Sequence, residues 1–126
     1  MNSPRVLIVD DNAMNVELVT FVLEADAFIV ESAANGDQAR ARIAAFRPEL
    51  ILMDIQMPGT DGLTLTRELK ADPATRHIVI VAFTAYAMKG DEAKTRAAGC
   101  DGYIAKPIEV ATFASKVRLY LAAAAG

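Results

Sequence analysis

The sequence predicts an α/β domain on a doubly wound, five-stranded parallel sheet, and three observations carry that prediction. Five short apolar runs recur along the 126 residues. Helix-patterned segments separate them. The first, third and fourth runs are almost unbroken Val, Ile and Leu, as in strands covered on both faces. Strict alternation of strand and helix gives parallel strands joined by right-handed crossovers, with helices on both sides. The common order for five such strands is 2-1-3-4-5, with its switch point between strands 1 and 3. No repeat, linker or composition break divides the chain, so residues 1–126 are expected to form one domain.

Each element follows from its residues. "RVLIV" (5–9) is the first strand. In "NAMNVELVTFVLEA" (12–25), Asn12 is an N-cap, and Glu17, Thr20 and Glu24 form a polar stripe facing away from Met14, Leu18, Phe21 and Val22. "FIVESA" (28–33) alternates, as a strand nearer the sheet edge should. Segment 37–46 offers Ala39, Ile43 and Phe46 as an inner face, and Arg47-Pro48 stops it. "LILM" (50–53) is the third strand, and Leu65 and Leu69 face inward from a helix over 62–71. "IVIVAF" (78–83) is the fourth strand. The helix at 88–99 has only Met88, Ala93 and Ala97 to pack, and Gly90 weakens it by about 1 kcal/mol relative to Ala. It should be the least stable helix, the kind of element from which moving parts are drawn. "GYIA" (102–105) is a short fifth strand. Val110, Phe113, Val117 and Leu121 mark a last helix over 109–122, which frays into "AAAAG".

Composition narrows the function. Hydrophobic residues make up 53% of the chain, enough for a substantial core and unlike a disordered tail. A net charge of −3 argues against a nucleic-acid or anionic-membrane surface. The single cysteine, Cys100, excludes an internal disulfide and fits a reducing compartment. Neither a signal peptide nor a membrane span is evident, so a cytoplasmic location is expected.

Ligands of doubly wound sheets bind beyond the carboxyl ends of the strands. There the sequence puts Asp10 and Asp11 after strand 1, Asp54 after strand 3, Thr84 after strand 4 and Lys106 after strand 5. At about 5 Å and an effective dielectric of about 20, each carboxylate pair repels by roughly 3 kcal/mol. Three such pairs are prohibitive beside a total stability of about 5–15 kcal/mol. Protons or a cation must relieve them. Mg²⁺ suits best, because it takes hard oxygen ligands and few protein carboxylates, and Mn²⁺ is the alternative. No His or Cys cluster suggests zinc. Asp11 and Asp54 are the expected direct ligands, with Asp10 close behind. A carboxylate can also attack phosphorus. Phosphoryl transfer asks mainly for positioning and charge neutralisation, which the Lys106 ammonium and the Thr84 hydroxyl can supply. Asp54 is the expected nucleophile.

At these residues the chain resembles the receiver domain of two-component response regulators, over nearly its whole length. The matching elements are "LIVDDN", "LILMDIQMPGTDG", "AFTA" and "GYIAKP", weak singly and highly specific as a spaced set. The resemblance implies a flavodoxin-like (βα)5 fold. It makes Asp10 and Asp11 the acidic pair, Asp54 the phosphoacceptor, Thr84 the switch hydroxyl, Lys106 the active-site lysine and Tyr103 the rotating aromatic. It further implies a cis peptide at Lys106–Pro107 and a metal contact from the Gln56 backbone carbonyl. The implied partners are a histidine kinase or phosphotransfer protein as donor, and a downstream protein on the face of the fourth helix, fifth strand and fifth helix. No nucleic acid or membrane is expected. The chain reads as a stand-alone regulator, closest to cell-division and hybrid-kinase receivers. It is a signalling protein that catalyses only its own phosphorylation and dephosphorylation. Tyr86, two residues after Thr84, is expected to shield the acyl phosphate from water.

Other residues have plainer readings. His77 is structural or solvated, Cys100 a small buried hydrophobe, and "RARIAAFR" (40–47) a solvated helix face. Asp61-Gly62 shapes a loop and caps the third helix. A phosphatase of the haloacid-dehalogenase kind would want a second Asp two residues after the nucleophile, where this chain has Gln56. A degenerate, binding-only receiver is opposed by intact Asp54, Thr84 and Lys106. A nucleotide-binding module would need a Gly-rich loop after strand 1, and none follows it.

Overall fold

The computed structural model describes residues 3–55, 57, 61–84 and 91–125, of which Asp91, Glu92 and Ala125 are described by their backbone alone. Strand and helix alternate throughout. The elements are β1 (Arg5–Val9), α1 (Ala13–Ala25), β2 (Ile29–Ala33), α2 (Gly36–Phe46) and β3 (Leu50–Met53). There follow α3 (Gly62–Ala71), β4 (Val79–Thr84), α4 (Asp91–Ala98), β5 (Gly102–Ala105) and α5 (Phe113–Ala125). The sheet order is β2-β1-β3-β4-β5, with every pairing parallel, as predicted.

Successive strand residues point to opposite faces, and the core divides accordingly. Val6, Ile8, Leu50, Leu52, Val81 and Phe83 pack with Val19, Val22 and Leu23 of α1 and Phe113 and Val117 of α5. On the other face, Leu7, Val9, Ile51, Met53 and Ile80 meet Ala39 and Ile43 of α2 and Leu65 and Leu69 of α3. Both faces of β1, β3 and β4 are thus covered, which accounts for their unbroken apolar runs.

Three expectations need correction. In α1 Val22 does face inward, but its companions are Val19 and Leu23, whereas Met14 and Phe21 are 80% and 73% exposed and Leu18 is also exposed. The sheet meets the 19-22-23 phase of the helix, so three large apolar side chains follow one outer stripe. In α4 the buried positions are Thr95 and Ala98, while Ala93 and Ala97 face out. The last helix begins at Phe113, preceded by a turn in which the amides of Thr112 and Phe113 both donate to the Glu109 carbonyl. Val110 is consequently exposed. Gln56, Tyr86, Met88 and Gly90 lie outside the described residues.

Candidate functional site

The site is assembled by strands that extend their pairing one residue beyond their ends. The Asp10 amide donates to the Ala33 carbonyl at 3.0 Å, that of Asp54 to Val9 at 2.9 Å, and that of Lys106 to Thr84 at 2.7 Å. These bonds hold the residue after each strand in register with its neighbour. Asp10 and Asp54 are buried, and Thr84 is fully so. The peptide joining Lys106 to Pro107 is cis.

Asp10, Asp11 and Asp54 each offer a carboxylate oxygen within 4.8 Å of the others. The Lys106 ammonium stands among them, 2.8 Å from Asp10 Oδ2 and 3.2 Å from Asp54 Oδ2, with its own side chain only 9% exposed. It also sits 5.0 Å from the centre of the Phe83 ring, a cation–π distance. The Asn12 amide donates to Asp10 Oδ1 at 2.9 Å, so the turn that starts α1 orients this carboxylate. Asp10 Oδ2 is buried and accepts no hydrogen bond among the described residues. Its contact with Lys106 is an ion pair of close distance without hydrogen-bond alignment.

One ammonium does not balance three carboxylates. The surplus negative charge, the unsatisfied Asp10 oxygen and the all-oxygen donor set together fit a hard divalent cation such as Mg²⁺.

The loop after Asp54 is shaped by close approach. A Cβ on Gly62 would lie 2.6 Å from the Asp54 carbonyl oxygen and 2.8 Å from the Ile55 Cα. Only glycine lets α3 begin so near the site. Asp61 caps that helix, accepting from the Leu63 amide at 3.0 Å and the Thr64 hydroxyl at 2.7 Å. The Thr64 hydroxyl holds the Asp61 carboxyl below its usual pKa of 3.8, helped by the backbone amides.

The structure therefore gathers Asp10, Asp11, Asp54 and Lys106 at one point, with Thr84 beside Lys106 through the backbone bond. Tyr103 stands lower on β5, opposite Ala82 and half-buried against the α2–α3 side of the core. Gln56 and Tyr86 fall outside the described residues. His77 is exposed. Cys100 is buried, and burial pushes its thiol pKa up. The Phe83 ring under Lys106 and the Asn12 amide on Asp10 escaped the sequence reading. Phe83 reads as one more apolar strand residue, and a backbone amide leaves no trace in residue identity.

The comparisons with known proteins agree with this geometry. The family model described as the response regulator receiver domain matches residues 6–118. A relative from Brucella anthropi, the polar-differentiation response regulator DivK, is 45% identical over 116 residues, covering 92% of this chain and 94% of that protein. A response regulator from Chloroflexus aurantiacus superposes with a TM-score of 0.90 at 30% identity, over 96% of this chain and 99% of that one. The receiver domain of a Pseudomonas aeruginosa sensor histidine kinase superposes with a TM-score of 0.85 at 31% identity, over 96% and 99% of the two chains. That structure carries a magnesium ion coordinated in its active-site cleft. Sheet order, acid cluster and a family match over residues 6–118 converge, and the protein belongs to the response regulator receiver family of two-component signalling.

Proposed function

We propose that this receiver takes a phosphoryl group from the phosphohistidine of a histidine kinase or phosphotransfer protein onto Asp54. The observation that carries the reading is the buried Asp54 carboxylate, held 3.2 Å from the Lys106 ammonium inside an acid cluster. An Asp54 oxygen attacks phosphorus, the bond from phosphorus to the donor nitrogen breaks, and the imidazole leaves with that electron pair. Lys106 steadies one phosphoryl oxygen as a point charge, and the Thr84 hydroxyl donates to another. Asp10, Asp11, Asp54 and the Gln56 carbonyl would hold Mg²⁺, which when bound neutralises charge on carboxylate and phosphoryl oxygens alike. Mn²⁺ shares the preference for oxygen.

After transfer, Thr84 moves toward the phosphoryl group and Tyr103 turns inward. The α4–β5–α5 face changes with them and alters binding of a downstream protein. Tyr86 shields the acyl phosphate. The receiver domain works in the cytoplasm, and its only catalysis is on its own phosphoryl group. Donor contact we assign to the outer stripe of α1, because Met14, Leu18 and Phe21 follow Asp11 closely in the chain and leave an apolar patch in water.

Incubation with acetyl phosphate and Mg²⁺, followed by intact-mass measurement, tests the core of this reading. One added phosphoryl group in the wild type and none in Asp54→Asn is the expected result. Equal labelling of both proteins, or of neither, would overturn it.

A further inference from the structure

β5 is an edge strand, paired only with β4 among the described residues. An edge strand presents alternate backbone groups to open space, where they invite another strand. On β5 those groups include the N–H and C=O of Tyr103, and one side-chain atom engages both of these. The Tyr103 amide donates to the Tyr120 hydroxyl oxygen at 3.3 Å, and that hydroxyl donates to the Tyr103 carbonyl at 3.3 Å. Tyr120, on α5, thus does for Tyr103 what a neighbouring strand would.

The ring reaches this position through a specific vacancy. A Cβ on Gly102 would lie 2.4 to 2.8 Å from three Tyr120 ring carbons, so any side chain at residue 102 would push the ring away. Tyr103 and Tyr120 together line a cavity of about 490 Å³ on the α5 side and one of about 170 Å³ on the α4 side. A displaced ring therefore has space to enter. Both bonds are long beside the usual O–H···O distance of about 2.7–2.8 Å and N–H···O distance of about 2.9–3.0 Å, which suits a contact that can release.

We propose that Tyr120 is a positioning residue for Tyr103, clamping its main chain to α5 while Asp54 is unmodified and letting go when Asp54 carries a phosphoryl group. The second half rests on the phosphoacceptor reading above. Linkage then requires reciprocity: a clamp that favours the unmodified arrangement must oppose phosphorylation, so removing it must favour phosphorylation.

The test uses wild type, Tyr120→Phe, which keeps the ring and removes the hydroxyl, and Gly102→Ala, which displaces the ring and keeps the hydroxyl. Amide exchange followed by NMR should be about tenfold faster at Tyr103 in both variants, with the Ile104 amide unchanged. With acetyl phosphate and Mg²⁺, wild-type Tyr103 exchange should rise toward the Tyr120→Phe rate. At limiting acetyl phosphate, intact mass should show Tyr120→Phe about threefold more phosphorylated than wild type. An unchanged Tyr103 amide in Tyr120→Phe would overturn the clamp and leave the phosphoacceptor reading standing. Faster exchange with no change in phosphorylated fraction would reduce Tyr120 to an edge cover and overturn its positioning role. A wild type that gains no mass would defeat the phosphoacceptor reading, and the coupling with it.

Discussion

Lys106 and Asp10 meet at 2.8 Å between the ammonium nitrogen and Oδ2, an ion pair that leaves that oxygen without a hydrogen bond among the described residues. The lysine opposes the charge of the acid cluster without satisfying its geometry. It works as a partial stand-in for a divalent ion. Removing one partner of a buried pair leaves the other charge uncompensated, at a typical cost of about 3–5 kcal/mol. Lys106→Met should therefore lose about 3 kcal/mol in urea unfolding without divalent ions. Because a ligand that binds only the folded state stabilises it by mass action, Mg²⁺ should restore much of that loss. A variant as stable as wild type in chelator would mean that the three acids do not repel as argued.

Gly62 faces backbone rather than flexible side chains, so the chain must shift to admit a methyl group. Overpacking of this kind costs about 1–3 kcal/mol. Gly62→Ala should fall in that range by chemical denaturation. It should also slow acetyl phosphate labelling more than tenfold, since the displaced atoms belong to Asp54 and Ile55. Full labelling would show that the close approach does not position Asp54.

Asp61 ties α3 to the loop through the Leu63 amide and the Thr64 hydroxyl. Losing an N-cap costs about 1 kcal/mol, and Asp61→Ala should show that loss at neutral pH. The Asp61 pKa is lowered, chiefly by the Thr64 hydroxyl, so its contribution is present above the unfolded value of 3.8 and fades as pH falls through the folded one. Stabilities of wild type and variant measured across that range should converge on the acid side. A constant gap would assign the effect to something other than the ionised cap.

Phe21 contributes nothing to the core at 73% exposure, so Phe21→Ser should leave stability within about 0.5 kcal/mol of wild type. Acetyl phosphate labelling should be equally unaffected. Among purified phosphotransfer domains, the one that phosphorylates the wild type fastest should transfer at least tenfold more slowly to Phe21→Ser. Equal transfer would remove the α1 stripe as a donor surface.

Strand positions were legible because both faces of a parallel strand are buried, so the apolar runs at 5–9 and 50–53 coincide with β1 and β3. The N-caps at Asn12 and Asp61 were legible because capping is a local bond between a side chain and an amide two or three residues on. The inner faces of α1 and α4 were not. α1 has apolar residues around much of its circumference and so several candidate stripes, of which docking selects the Val19, Val22 and Leu23 phase. α4 has few apolar residues, so its sequence does not mark Thr95 and Ala98 as the inner pair.

Order along the chain was enough to determine the alternating elements and the carboxylates at the strand ends, because periodicity and strand termini are local properties. The sheet order followed as the common one for that alternation. Tertiary structure alone decided that Lys106 reaches Asp10, that α3 begins against Asp54, and that Tyr120 lies across Gly102 onto Tyr103. Those contacts join separate elements of the fold, and their distances depend on how helices settle on the sheet, which no stretch of sequence encodes by itself.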